Sequence, residues 1–429
     1  MSYSKEYRTI KRVQGHLTNH DRFKIKEMSL LEEVVIVSAA RTPIGKFGGR
    51  LKNVSAVELG AIVTKEAIKR ATITPDIIDQ VIFGNVLQAG SGQNPARQIA
   101  IQSSIPYTTP GMTVNEVCGS GLKSIILGSQ AIQLGDADVI VVGGTENMSQ
   151  APYLLHSHRW GKKAGDDRLI DSVMHDGLSD AFSQLPMGLT AEKVAEEFDV
   201  SRAEQDQFAY DSQMRAAAAK KDGKFTKEIV SVPISGPKGT EQLFSEDEFI
   251  RETTTLDSLA KLKPAFKEEG TVTAGNSSGI NDGASALVLM KKSLAKQLNI
   301  PYLATIRGYS EVGVDPSIMG YAPYDAIKKV LKKTNLSLEE IDSIELNEAF
   351  AAQSIAVSKD LQLDMKKVNA NGGAIALGHP IGSSGSRIVV SLVHELLANQ
   401  TRFGLASLCV GGGIGIALVI ERNPLNEPQ

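Results

Sequence analysis

Ile73-Thr74-Pro75-Asp76-Ile77-Ile78-Asp79-Gln80-Val81 and Leu336-Ser337-Leu338-Glu339-Glu340-Ile341-Asp342-Ser343-Ile344 read as two copies of one segment. Each follows a stretch with helical spacing of apolar residues and several basic ones, and each leads into a short strand and then an asparagine. The flanks repeat too: an asparagine, a glycine turn and an apolar helix occur around Leu122–Leu134 and again around Arg387–Leu397. Strand-like runs Val34–Val37, Val81–Phe83 and Val139–Val142 alternate with helix-like Ala56–Ala71 and Leu122–Leu134. That alternation predicts an α/β fold whose sheets are covered on both faces. Two copies of one α/β unit are therefore expected at residues 31–148 and 301–422, the first completed by about 280–300. A duplicated unit places equivalent turns near its pseudo-twofold axis, so motifs far apart in sequence converge.

Between the copies lies a polar, helix-rich insertion, residues 149–279. It carries Arg159-Trp160-Gly161, helical runs over Thr190–Asp199 and Glu204–Lys220, and the turn-rich Thr273-Ala274-Gly275-Asn276-Ser277-Ser278-Gly279. An insertion of that size is usually functional.

The chain has 429 residues, enough for two or three domain-sized cores, and a net charge of −3. That charge gives no drive toward nucleic acid or an anionic membrane. Leu405 to Ile420 is the most apolar long stretch; glycines interrupt it, and it reads as a buried strand-turn-strand rather than a membrane span. Residues 1–30 are a polar, basic-leaning extension without the apolar core of a secretory signal, and Met28 reads as an alternative start. Two cysteines so far apart are no disulfide framework; a reduced nucleophile fits the cytoplasm.

Both cysteines sit in glycine-rich turns: Asn115-Glu116-Val117-Cys118-Gly119-Ser120-Gly121 and Cys409-Val410-Gly411-Gly412-Gly413-Ile414-Gly415. Between them lies Asn371-Gly372-Gly373-Ala374-Ile375-Ala376-Leu377-Gly378-His379-Pro380. Buried packing is the commonest fate of a free cysteine, and at such a turn alone packing and catalysis both stay open. A thiol just before a helix is expected to have a lowered pKa from the helix dipole. An imidazole held on a stiff turn can take a proton from such a thiol. His156 and His158 lack the further ligands of a metal site. Gly382-Ser383-Ser384-Gly385 looks like an anion-binding turn but lacks the lysine of a phosphate-binding loop. No dinucleotide fingerprint follows a strand.

Together these motifs resemble the thiolases. The likeness runs from Val34 to Glu421 and includes Ser38–Gly45, the Cys118 turn, Gly143–Ser149, Thr273–Ala286, Asn347–Phe350, Gly372–Gly382 and Cys409–Gly415. The resemblance implies a duplicated five-layer αβαβα core with the insertion as a CoA-binding loop domain. It implies reversible condensation of two acetyl-CoA to acetoacetyl-CoA and CoA, with CoA as substrate and no separate cofactor. By the same resemblance Cys118 accepts the acetyl group, His379 activates it, and Cys409 moves the proton on C2. Asn347 holds a water in one oxyanion hole, and the amides of Cys118 and Gly411 form the other. Arg251 and Ser258 match positions at the adenosine and pantetheine end. Leu178, Leu262, Phe266, Ala274, Ser278, Ala349 and Phe350 match the pantetheine tunnel, and Met187 and Met319 flank the acyl pocket. The family implies a homotetramer built as a dimer of dimers.

Two positions depart from the short-chain pattern: Pro186, where histidine often precedes the methionine, and Glu116. The Cys118-Gly119-Ser120-Gly121 form favours the short-chain group. The nearest alternative is a broad 3-ketoacyl-CoA thiolase of fatty-acid degradation. A carrier-protein-dependent ketosynthase fits poorly with a second cysteine, and a non-catalytic scaffold fits poorly with all three reactive residues present.

Overall fold

The computed structural model describes residues 32–236 and 239–424. The N-terminal extension and its alternative start therefore lie outside the described residues.

That strand, β1 (Val34–Arg41), is buried along its whole length. Its residues alternate between two cores: Val34, Ile36 and Ala39 face one, while Val35, Val37 and Ala40 face the other. The period of two changes phase at a bulge between Ile36 and Ser38, and apolar residues at both phases are what a strand between two helical layers requires. The remaining strands named here are β2 (Gln80–Gly84), β3 (Gly111–Val114), β4 (Val139–Asn147), β5 (Asn281–Lys291), β6 (Ala304–Gly313), β7 (Ser343–Leu346), β8 (Phe403–Val410) and β9 (Ile414–Arg422). They form one sheet in the order β7-β8-β9-β6-β1-β5-β4-β2-β3.

The duplication is visible in the pairing. Outward from the β6–β1 seam, β6-β9-β8-β7 pairs antiparallel, antiparallel, parallel, and β1-β5-β4-β2 does the same. The two repeated segments lead into β2 and β7, which are equivalent in this arrangement. The seam itself is short, with Val35 opposite Thr305 and Ile36 opposite Ala304.

Helices α1 (Ala56–Arg70) and α2 (Pro95–Gln102) cover the outer face of the first half. Ser55 and Glu58 form a reciprocal capping box at the start of α1. Helices α3 (Ser120–Leu134) and α8 (Ile381–Asn399) lie between the two halves, in a core that draws side chains from both. α6 (Pro323–Thr334) and α7 (Ala351–Asp360) belong to the outer layer of the second half. The result is five layers, αβαβα. The chain leaves the end of β4 at residue 147 and returns at 281, directly opposite in the sheet. This excursion holds α4 (Met187–Glu197), α5 (Arg202–Lys221) and short two-stranded ribbons. Buried Arg41 ties it to β1, with Nε 2.7 Å from Glu228 and both terminal nitrogens forked onto Asp247 at 2.7 and 2.9 Å.

Glycine permits the central layer. A Cβ on Gly121 would lie 2.6 Å from the Ser386 backbone nitrogen, and one on Gly385 would lie 2.3 Å from that of Leu122. Gly385→Ala should therefore destabilise the fold by about 1–3 kcal/mol, the usual cost of overpacking. Gly313→Ala has open space around it and should stay within about 0.5 kcal/mol of the parent. Urea unfolding midpoints would check this, and equal midpoints would contradict the close-packing account.

Candidate active site

Cys118 follows the edge strand β3 by a turn under visible strain. Val117 has φ of 45°, a left-handed conformation costly for a β-branched residue. The turn is held by Glu116 N donating to Ser120 Oγ at 2.8 Å and by Ser120 Oγ donating to the Val117 carbonyl at 2.6 Å. Gly119 then caps α3, where a Cβ would meet Val410 at 2.9 Å. Cys118 is thus pressed against the end of β8, the strand that carries Cys409. The turn after β8 needs two left-handed residues, Gly412 (φ 88°) and Gly413 (φ 83°).

Cys118 opens partly into an apolar cavity of about 360 Å³, to which His379, Gly411, Leu178, Met187, Arg251, Phe266, Ala274, Ser278, Met319, Ala349 and Phe350 also contribute. Cys409 is buried just behind this wall, in one cluster with Met319, Ala349, Met187 and Phe350. Arg251 lies at the exposed end, its guanidinium 4.9 Å from the Phe249 ring centre. Phe266 and Phe350 meet edge to face, ring centres 6.3 Å apart. Ser258 and Leu262 do not line the cavity. Ser258 sits in the capping box of the short helix Leu256–Ala260, and Leu262 packs under Gly275. A larger cavity of about 600 Å³ between α5 and α7 receives neither thiol nor His379.

The tautomer of His379 follows from its neighbour. Ser384 Oγ donates to the Pro380 carbonyl at 2.9 Å, so at 2.5 Å from His379 Nδ1 it accepts. That pairing favours the tautomer with its hydrogen on Nδ1 and a lone pair on Nε2. Nε2 is buried with no protein partner among the described residues, as are both polar atoms of the Asn347 side chain. Two buried carboxylates brace these loops. Glu146 accepts from the amides of Val86, Leu87 and Gly382 at 3.0, 3.1 and 2.9 Å. Glu348 accepts from Ser212, Asn369 and the Ile375 amide. The amide of Gly382 is therefore committed to Glu146, which leaves the Gly382–Gly385 turn no free anion site at that group.

Burial, not the helix dipole, sets the resting charges. It pushes the Cys118 thiol up to about 11, although the amides of Gly411 and of Cys118 itself pull it down. The expected low-pKa thiolate is thus corrected: removal from water outweighs the dipole and the two amides. Burial likewise drives His379 down to about 3, with Arg387 adding to the effect, and pushes Cys409 far up, with Cys118 adding. Near neutral pH all three groups rest uncharged.

The sequence matches the thiolase N-terminal domain over residues 34–293 and the thiolase C-terminal domain over 300–422. The chain belongs to the thiolase family. It is 53% identical to the acetyl-CoA acetyltransferase of Cupriavidus necator, a match over 91% of this chain and all of that one. The acetyl-CoA acetyltransferase of Chromobacterium violaceum is 51% identical at the same coverage. Among solved structures, the Bacillus anthracis acetyl-CoA acetyltransferase superposes with a TM-score of 0.90 at 47% identity, covering 92% of this chain and 99% of that one. Human mitochondrial 3-ketoacyl-CoA thiolase in complex with CoA gives 0.88 at 45%, covering 92% and 99%.

Several neighbours of this thiolase's site escaped the sequence reading. Val117, Met174, Phe249 and Ile280 line the cavity, and Ser384, Glu146, Glu348 and Gln353 hold its reactive groups. Val117, Ile280, Ser384, Glu146 and Glu348 all lie inside the sequence motifs, where their presence is visible though their task is not.

A thiol raised to about 11 exposes more thiolate as pH rises toward that value. In a Cys409→Ala background, where Cys118 is the one cysteine left, iodoacetamide labelling should therefore climb about tenfold per pH unit between about pH 7 and 9. A plateau below that range would instead reveal a preformed thiolate–imidazolium pair.

Proposed function

We propose that this chain is an acetyl-CoA C-acetyltransferase. It condenses two acetyl-CoA reversibly to acetoacetyl-CoA and CoA through an acetyl group on Cys118. One observation carries the reading: Cys118 and His379, whose Nε2 has no hydrogen-bond partner among the described residues, line one apolar cavity, and Cys409 is buried behind its wall. Relatives named acetyl-CoA acetyltransferase at 53% and 51% identity over their whole length point the same way.

The proton bookkeeping closes. Cys118 gives its proton to His379 Nε2 and attacks the acetyl carbonyl. The tetrahedral intermediate expels CoA as a thiolate, which takes a proton from Cys409. The Cys409 thiolate then removes a C2 proton from the second acetyl-CoA. The enolate attacks the acetyl-cysteine, and the Cys118 thiolate released on collapse recovers its proton from His379. Covalent catalysis of this kind is ping-pong. The enolate oxygen is met by His379 Nε2–H and a water held by Asn347; the tetrahedral oxyanion is met by the amides of Cys118 and Gly411. Each donor serves an oxygen on which charge develops, in a largely apolar cavity.

Arg251 and Ser258 sit toward the adenosine and pantetheine end of CoA, and Leu262 toward the pantetheine. Leu178, Phe266, Ala274, Ser278, Ala349 and Phe350 enclose the pantetheine, and Met187 and Met319 bound the acyl group. CoA arrives as substrate, and no separate cofactor takes part. The partners are acetyl-CoA, acetoacetyl-CoA and CoA, not nucleic acid or membrane. The compartment is the cytoplasm, where both thiols stay reduced. The assembly is a homotetramer, supported by the exposed apolar residues Tyr153, Trp160 and Leu169 on an arm of the excursion.

A broad-range 3-ketoacyl-CoA thiolase is the second reading. Pro186 lines the cavity where short-chain members often carry histidine, and human mitochondrial 3-ketoacyl-CoA thiolase is 45% identical. The ratio of kcat/KM on four-carbon and on long-chain 3-ketoacyl-CoA separates the two.

Thiolysis of acetoacetyl-CoA should be rapid for the parent and absent from Cys118→Ala and Cys409→Ala. Asn347→Ala should cost about 10²–10³ in kcat. A folded parent that leaves acetoacetyl-CoA intact would end this reading. Light scattering should give four times the chain mass; a stable monomer would refute the assembly.

A further inference from the structure

Gln353 is fully buried on the first turn of α7, among apolar neighbours. It makes three contacts. Its Oε1 lies 3.1 Å from Cys409 Sγ, its Nε2 donates to the Asn347 carbonyl at 3.2 Å, and the same Nε2 reaches Ser354 Oγ at 2.5 Å. The orientation of this amide is dictated by chemistry. A backbone carbonyl can only accept, so Nε2 must face Asn347. Oε1 is therefore the atom turned toward the sulfur, where it can only accept from S–H. Movement is blocked from the other side: a Cβ on Gly320 would lie 2.7 Å from the Gln353 Cβ, so the turn carrying Met319 is packed directly upon it.

We propose that Gln353 is a positioning residue that holds Cys409 as the proton carrier of the C2 step and joins it to the Asn347 loop. The proposal rests on the acetyltransferase reading. An acceptor aimed at the sulfur favours S–H over the thiolate, so once Cys409 has released its proton to the departing CoA thiolate it has a strong drive to take one back. The bond that breaks is C2–H, its electron pair becomes the enolate, and the proton ends on Sγ, hydrogen-bonded to Gln353 Oε1. The same contact fixes which side of the sulfur bears hydrogen. Because Nε2 grips the Asn347 backbone, the proton carrier and one oxyanion-hole residue share a single rigid link. Expulsion of CoA in the first half-reaction depends far less on this device, since a thiolate leaves readily without full protonation.

Two measurements test the proposal. The chain has two cysteines, so in Cys118→Ser the infrared S–H stretching band belongs to Cys409 alone. Adding Gln353→Met, which keeps the size and removes the acceptor, should move that band to higher wavenumber. In the Cys118-intact protein, Gln353→Met should keep exchange of labelled CoA into acetyl-CoA within about threefold, while condensation and C2 hydrogen exchange fall about 100-fold, the scale of an acid–base contribution. Gln353→Glu should recover the C2 step only at acid pH, where the carboxylic acid still offers an acceptor to sulfur and a donor to Asn347. An unmoved S–H band, or equal losses in both half-reactions, would overturn the role of Gln353. A parent protein silent in both half-reactions would instead remove the acetyltransferase reading and the proton-carrier role with it.

Discussion

The approach of two buried helices governs this molecule. α3 and α8 lie between the two halves of the sheet, and their first turns touch through backbone rather than side chains. Gly84 and Gly144 press on Gly382, Gly121 on Ser386, and Gly385 on Leu122, each with no room for a Cβ. Because interiors pack as densely as molecular crystals, such contacts leave little tolerance in either direction. The turns that enter these helices carry Cys118 and His379. Their meeting is a direct consequence of how closely the helices can lie, and it needs no separate binding energy between the two side chains.

The same packing removes water, and dryness then sets the chemistry. Two thiols and an imidazole that would titrate over a wide range in solution are all held neutral. The carboxylates nearby are occupied with the backbone: Glu146 gathers the amides of Val86, Leu87 and Gly382, and Glu348 holds the turn at Ile375. Charge therefore develops only as a thioester reacts, in a medium where hydrogen bonds to that charge are stronger than in water. Two side-chain relays prepare for it. Ser384 selects the His379 tautomer, and Gln353 turns an acceptor toward Cys409.

Much of this was legible in the residues themselves. The paired segments at Ile73 and Leu336 announced the duplication, and the sheet bears it out in matching patterns of parallel and antiparallel neighbours. The strand-turn-strand at Leu405–Ile420 and the helices of the excursion lie where their periodicity placed them, within a few residues at each end. Cys118, His379 and Cys409 declared themselves through the glycine around them, while the part of Gly411 came through likeness to a family. Gln353 and Ser384 did not, because a polar residue on an otherwise apolar helix gives no sign of which distant atom it faces. Ser258 and Leu262 were reached only through likeness to a family, and in the described structure both lie off the cavity wall.

Local pattern was enough to determine that the chain is a doubled α/β unit, that it carries an inserted segment, and that its reactive side chains sit on glycine turns. These follow from periodicity and from the backbone freedom of glycine, which are properties of short stretches. Tertiary structure decided what those stretches could not: that the thiols rest protonated, which nitrogen of His379 is free, and which atom of Gln353 meets Cys409. The reason is that desolvation and hydrogen-bond partnership depend on everything packed around a group. A helix dipole can be inferred from a dozen neighbouring residues, but the burial that overrides it at Cys118 is built from five layers of chain.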